Sequence, residues 1–306
     1  MNLVSFVFSL TTIRGTNVSN TYQPLGNNVF VPSMGFGAHT NDEYQLKTAL
    51  NRALEVGYRH IDTSPFYKNE HIIGEVIREW ISSKKLKRKD LFITTKLDTH
   101  PDHIEEALNN SLTNLQLKHV DLYVLQMDAT EDINIIHAWK KMEQQVESKR
   151  TRSIGLNDFT KEQIQSILKI AKIKPASLHV KVHPYNQQWE LRLFCKRRNI
   201  LVISYNPLGP VGAIDSDPVI INIAKGRRKT TSQVVLRWLH QMHVVVLPAT
   251  LNSTMIQRNS KIFKFDLSYE DVEAINGLDE APSARTRNIA KIGDYPDSFK
   301  LTHLNG

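Results

Sequence analysis

The chain has 306 residues, room for one large α/β barrel or two ordinary domains, and its 41% hydrophobic, 8% aromatic and 23% charged residues are those of a globular protein. A single cysteine, Cys195, excludes an internal disulfide scaffold, and no run approaches the roughly 18 consecutive apolar residues of a membrane span. The formal charge of +8 would suit an anionic partner, but the basic runs at Lys84 to Lys89, Lys149 to Arg152 and Arg227 to Lys229 are short and free of interleaved aromatics. They read as solvated faces, and nucleic acid is not an expected partner.

Taken in chain order, the first element is an apolar run, Leu3 to Leu10, followed by the sequon Asn17-Val18-Ser19. A secreted leader would also need a basic residue before the run and a small-residue cleavage site after it, and both are missing. Residues 1–20 therefore read as an N-terminal extension, an extra strand or a disordered leader, on a cytoplasmic protein; secretion is the alternative. The sequons at Asn109 and Asn252 fall inside predicted elements and add little.

From residue 21 to residue 306 no linker or low-complexity tract divides the chain, which predicts one domain. Strands are predicted at Met34 to Gly37, Tyr58 to Asp62, Leu91 to Lys96, Val120 to Leu125, Ser153 to Leu156, Leu178 to Val182, Leu201 to Tyr205 and Val244 to Leu247. Between them lie amphipathic helical segments such as Asp42 to Val56, Glu70 to Ile81 and Asp102 to Leu115. The last puts Ile104, Ala107, Leu108, Leu112 and Leu115 on one face. Strict alternation requires parallel pairing with crossovers, and eight repeats of it predict a (β/α)8 TIM barrel. The alternative is a doubly wound open sheet, which usually shows G-x-G-x-x-G after its first strand; here Gly35-Phe36-Gly37 stops at G-x-G.

In such a barrel chemistry sits at the C-terminal ends of the strands, so the residues to inspect are Asp62, Lys96, Gln126, Asn157, Asp158, Tyr205 and Pro248 to Thr250. Asp62, Tyr67 and Lys96 make a chemical set. A phenol titrates near pH 10 and needs a cation beside it to act as an acid at neutral pH; Lys96 could supply that cation and Asp62 could hold it. By spacing alone the trio also suits a solvated lysine, a turn-capping aspartate and a packed tyrosine.

Gly57 to Thr63 (GYRHIDT), Tyr67 to Glu70 (YKNE), Thr95-Lys96, Val120 to Tyr123, Trp139 to Glu143, His183-Pro184-Tyr185, Phe194-Cys195, Ser204 to Gly209 (SYNPLG) and Leu236-Arg237-Trp238 resemble, in order, the motifs of the aldo-keto reductases. The resemblance runs from about residue 25 to residue 280. It implies a (β/α)8 barrel that reduces aldehydes and ketones with NADPH, without a Rossmann motif. It also implies that Asp62, Tyr67 and Lys96 are three members of a catalytic tetrad with Tyr67 as proton donor, and that Tyr205 stacks on the nicotinamide. Gly37, Asp62, Asn157, Asp158, His179, Tyr205, Leu208, Thr250, Arg258 and Asn259 then form the cofactor-binding set.

Several functional positions depart from the family pattern. The fourth tetrad member is a histidine, and here the segment reads Leu125-Gln126-Met127-Asp128. Gln126 can orient a carbonyl by a hydrogen bond but cannot relay a proton. The residues that hold the nicotinamide amide, Ser-Asn and Gln in the family, are Asn157, Asp158 and His179. The phosphate clamp, Pro-Lys-Ser followed by an arginine, is Pro248-Ala249-Thr250 followed by Met255. Losing two charge-assisted contacts would remove roughly 3 to 6 kcal/mol of NADPH affinity, unless Arg258, on the same helical face as Met255, replaces them. Without replacement NADH would bind about as well as NADPH. Asp98 and Met127 stand where the family has tryptophans, and residues 127–136 and 209–217 make short loops, which predicts a more polar and more open pocket.

His100 with His103 and His179 with His183 lack a third ligand, so no metal site is expected, and Cys195 reads as a core residue. Two functions follow. The first is an oxidoreductase passing hydride between NADPH or NADH and a small carbonyl, expected to be a monomer with weakened or altered activity. The second is a barrel that has lost catalysis and binds a partner.

Overall fold

The computed structural model describes residues 17–280 apart from 19, 27, 41, 98–100 and 127–133. An antiparallel hairpin comes first, β1 (Tyr22–Gly26) with β2 (Val29–Pro32). Eight parallel strands follow: β3 (Gly35–Gly37), β4 (His60–Asp62), β5 (Phe92–Lys96), β6 (Val120–Gln126), β7 (Thr151–Asn157), β8 (Ser177–Val180), β9 (Leu201–Ser204) and β10 (Val245–Val246). Each pairs with its sequence neighbour, so the order from β3 to β10 is unbroken. The seam closes through a parallel bridge between Met34 and Val246, with Val246 N donating to Ser33 O at 3.2 Å and Gly37 N to Pro248 O at 3.3 Å. This is the predicted (β/α)8 barrel.

Helices cover its outside: α1 (Glu43–Glu55), α2 (Glu70–Ser82), α3 (Ile104–Leu115), α4 (Ile135–Glu147), α5 (Lys161–Leu168) and α6 (Trp189–Lys196) in the first part of the chain. Later come α7 (Ala213–Ser216), α8 (Pro218–Arg227), α9 (Thr231–Gln241), α10 (Ser253–Asn259) and α11 (Tyr269–Asn276). Short polar side chains set where they start: Asp42, Asn134, Thr160, Thr230 and Ser268 each accept a hydrogen bond from the backbone of the first turn. The helix predicted from Asp102 begins instead with a 3-10 turn, Pro101–His103, because proline opens a turn readily and His103 provides no side-chain cap.

The hairpin has a structural task. Leu25, Val29 and Val31 pack with Phe92, Leu122, Val124, Ala176, Ile203, Val245 and Leu247, filling the bore from the end where the strands begin. Val18, within the stretch read as an extension, is also buried. Strand alternation aims Gly35 into the same bore, where a Cβ would lie 2.5 Å from Leu247 Cδ2 and 2.8 Å from His60 Nδ1. Only glycine leaves His60 its place.

His60 is wholly buried, with Nε2 2.9 Å from Thr94 Oγ1 and its ring 5.0 Å from that of Phe92. Burial pushes its imidazole down to about 4, against the opposing pull of Asp62. The unfolded chain then binds the extra proton first, so the stability from neutral His60 is complete above about pH 6.5 and is lost as pH falls towards 4. Melting curves of the protein and of His60→Gln should therefore diverge in acid, the parent losing about 3 kcal/mol more than the variant across that window.

Candidate active site

The C-terminal mouth of the barrel is built by side chains two residues apart on each strand. Period-two alternation puts His60 and Asp62 of β4, Thr94 and Lys96 of β5, Val124 and Gln126 of β6, and Ser177 and His179 of β8 on the inner face. Asp62 and Lys96 are each only 3% exposed. Lys96 Nζ donates to Asp62 Oδ1 and, at 3.0 Å, to Thr63 O. Burial alone would raise the Asp62 carboxyl, but Lys96 and His179 outweigh it and hold the group well below the usual carboxylate range. It is an ionised pair cut off from water.

Tyr67 reaches the pair from a 3-10 turn, Pro65–Tyr67, that Ser64 caps and that Lys68 ends in the left-handed region (φ 54). Buried Asn69 ties this turn down: it donates to Ala38 O and Thr40 O, both at 2.7 Å, and accepts from Thr63 Oγ1 at 3.0 Å. Lys96 Nζ lies 5.6 Å from the centre of the Tyr67 ring, and His39 stacks at a tilt 4.8 Å away. Against the expectation of a phenol lowered by Lys96, Tyr67 is raised: burial dominates, and Asp62 adds to it while spending part of the lysine's charge. Tyr67 therefore keeps its proton at neutral pH.

Gln126 ends β6 in register with Asn157, and Asn157 pairs in turn with His179. Asp158 follows in the left-handed region (φ 57), its N–H donating to His179 O at 2.9 Å. One of its carboxylate oxygens accepts from Tyr205 Oη at 2.8 Å and from Asn157 Nδ2 at 3.2 Å. Burial and this bond raise the Tyr205 phenol, and Lys181 Nζ sits 5.9 Å from its ring centre. His179 lies apart from this group: it is 0% exposed, and its Nε2 is 3.4 Å from Asp62 Oδ2.

The remaining cofactor candidates lie around the ends of β3, β9 and β10. Gly37 forms the seam, Leu208 and Thr250 are half-buried, and Thr250 Oγ1 approaches Met255 Sδ at 3.7 Å where a cation was expected. Beyond them α8, α9 and α10 border an open cleft of about 540 Å³ lined by Lys225, Arg228, Lys229, Met255, Arg258 and Asn259, among others. Asn259 is 1% exposed, and its Nδ2 has no hydrogen bond among the described residues. Lys225, Arg228 and Arg258 make no ion pair among the described residues. The run Arg227 to Lys229 is solvated at Arg227 and Arg228, as expected; Arg227 pairs with Asp271, and Arg228, which leaves the helix with φ 54, borders the cleft together with half-buried Lys229. Lys225, Arg228 and Lys229 are the candidate binding residues that sequence reasoning missed.

Asp98, Met127 and all of the 127–136 loop before Asn134 lie outside the described residues. The 209–217 loop contains α7 and is fastened by Asp215, which accepts from Thr231 Oγ1, and by Asp217, which accepts from Tyr185 Oη at 3.2 Å. Cys195 is buried, and burial pushes its thiol up to about 12. Among the described residues no group of three His, Cys, Asp or Glu could hold a metal, and no helix is long and apolar enough to cross a membrane.

Residues 33–280 match the sequence pattern of the Aldo/keto reductase family. Aldo-keto reductase family 1 member A1-A of Danio rerio is 36% identical over 279 residues, covering 81% of this chain and 86% of that protein. Prostaglandin F synthase 1 of Bos taurus is 34% identical, covering 81% and 88%. An aldo-keto reductase (AKR2E5) complexed with NADPH superposes with a TM-score of 0.78 at 29% identity, covering 84% of this chain and 87% of that one. The aldose reductase of Schistosoma japonicum gives 0.79 at 32% identity, covering 85% and 94%. With a barrel of that architecture and an Asp62–Lys96 pair beside Tyr67 at its mouth, the chain belongs to the aldo/keto reductase family, whose members are NADPH-dependent carbonyl oxidoreductases.

Proposed function

We propose that the chain is a working reductase of small aldehydes or ketones in which Tyr67 gives the proton and the Asp62–Lys96 pair keeps it in place. The observation that carries this reading is the buried ion pair with the Tyr67 ring 5.6 Å from its ammonium. A barrel without chemistry at its mouth would gain nothing from a buried lysine that hydrophobic packing could replace. Bound NADPH supplies the hydride. Tyr67, protonated in the resting site, donates to the carbonyl oxygen, and the Lys96 charge steadies the phenolate that remains. Gln126 donates a hydrogen bond that orients the same oxygen. It moves no proton, so the whole transfer falls to Tyr67.

The chain's donors suit a nicotinamide nucleotide. Asn157 offers an amide to a carboxamide, and Asp158 offers an acceptor to its NH2 group. Tyr205, held by Asp158, presents a ring face to the nicotinamide. At the other end, Arg258, Arg228 and Lys225, which make no ion pair among the described residues, and Asn259 Nδ2, which has no hydrogen bond among them, line the cleft, which is what a phosphate or an adenosine needs. Arg258 then takes over from the absent clamp, and the preference for NADPH is kept. A monomer in the cytoplasm completes the reading.

Calorimetry with NADPH and NADH tests it without a choice of substrate. Micromolar binding of NADPH, tighter than that of NADH, is expected; no binding by folded protein at millimolar nucleotide would favour a partner-binding barrel. Arg258→Glu should weaken NADPH by about 10- to 100-fold and leave NADH nearly unchanged. An equal loss for both nucleotides would take Arg258 away from the phosphate.

On a panel of small aldehydes, Gln126→His should raise kcat by about 10-fold or more, since it restores a group that can pass a proton. Tyr67→Phe should bind nucleotide normally and lose about 10²- to 10⁴-fold in rate.

A further inference from the structure

Asp62 has two carboxylate oxygens, and Lys96 satisfies one of them. Oδ2, equally buried, has no hydrogen bond among the described residues. The side chain facing it is His179, on β8, four places from β4 in the strand order and therefore on the opposite wall of the bore. His179 is 0% exposed, and neither of its ring nitrogens has a hydrogen bond among the described residues. Two unsatisfied buried groups, one an acceptor and one able to donate, thus face each other at 3.4 Å. An unpaired carboxylate oxygen and an unpaired imidazole are each costly to bury, and a small approach relieves both.

We propose that His179 is a positioning residue for the catalytic pair: as the neutral tautomer with its proton on Nε2, it donates across the bore to Asp62 Oδ2 and fixes that carboxylate against Lys96. The charged groups around the ring favour the neutral form. Asp62 on β4 and Asp158 after β7 pull towards the imidazolium, while Lys96 on β5 opposes it; His60, two residues before Asp62 on β4, disfavours a second charged imidazole nearby. Burial outweighs all of these and lowers the imidazole. A neutral imidazole donates through one nitrogen only, and Nε2 is the one that lies 3.4 Å from the carboxylate oxygen, where a small turn of the ring would complete the bond. The role differs from that of an amide-holding residue at the cofactor, which would have to open onto the mouth. Only the catalytic consequence rests on the reductase reading; the pairing stands without it.

Two variants separate a donor from a filler. Glutamine keeps an N–H near the place of Nε2, leucine keeps volume alone, and neither titrates. Near neutral pH, His179→Leu should melt about 3 to 6 °C below His179→Gln. The gap should narrow as pH falls, because the leucine variant's Asp62 takes up its proton at higher pH and no longer needs the donor. In a background carrying Asp62→Leu and Lys96→Met together, which removes the ion pair and its acceptor as a unit, the gap should vanish. A leucine variant that folds only in that background supports the same pairing. A gap that does not change with pH, or failure of both variants to fold in either background, overturns it.

Calorimetry with NADPH gives the second readout. His179→Gln should bind within about threefold of the parent, because the positioning role leaves the nucleotide untouched. A loss of more than about tenfold in both variants would put His179 on the nucleotide and end the proposal. A parent that binds no nucleotide would retire the reductase reading, and the melts would still decide the pairing.

Discussion

The mouth of this barrel depends on one costly arrangement, an aspartate and a lysine buried together. Neither charge could be held there alone, because the penalty for an unpaired buried ion far exceeds what packing returns. The pair in turn dictates its surroundings. β4 and β5 must lie in a register that sets Asp62 beside Thr94 and brings Lys96 one step further up. Thr63 must turn its carbonyl to the ammonium, and Asn69 must hold the segment that carries Tyr67 against the loop after β3. Glu70, the first residue of α2, accepts from Thr95 Oγ1 at 2.7 Å, which locks that helix to β5 behind the lysine. Tyr67 therefore stands on a short turn fastened on both sides, and loop placement does not make it imprecise.

The same economy governs the acidic residue at the rim. Asp158 replaces an amide by an acceptor, but its carboxylate does not stand open: Tyr205 Oη and Asn157 Nδ2 both donate to one oxygen. The bond to that oxygen holds the Tyr205 ring at the rim of the barrel. A left-handed backbone at Asp158 is tolerated because its N–H is satisfied by His179 O. A substitution that looks disruptive in the sequence thus has an internal partner, and the cost of the acidic side chain is borne by its neighbours rather than by the ligand.

The barrel was legible in the sequence because eight apolar runs alternate with helical spacing, and the glycine motif that a doubly wound sheet usually shows stops at Gly35-Phe36-Gly37. The hairpin at Tyr22 to Pro32 was not: its strands hold five and four residues, two prolines and a terminal glycine, too little for a periodic signal. Asp62, Tyr67 and Lys96 were readable through the motifs around them, whereas the direction in which Tyr67 titrates was not, because it depends on how far burial outweighs the lysine. Lys225 and Arg228 were hidden for a related reason. Which member of a basic run borders the cleft depends on the exit from α8, and the left-handed cap at Arg228 is a tertiary outcome that composition does not encode.

Gln126 and His179 together alter where an imidazole stands. The resemblance places a histidine at the rim, on the strand that here ends in Gln126, and an amide on the strand that here holds His179. In this chain the amide is at the rim and the imidazole lies within the bore against Asp62. An amide at the rim can orient a carbonyl at any pH, since it has no titration of its own. An imidazole in the bore, lowered by burial, stands 3.4 Å from the second oxygen of Asp62 and brings no charge of its own to the ion pair. The exchange therefore removes a titrating group from the end of β6 and sets an imidazole beside the ion pair that lies under Tyr67. Its physical consequence is a mouth at which Tyr67 stands over Asp62 and Lys96, with His179 below them, three buried side chains contributed by three different strands.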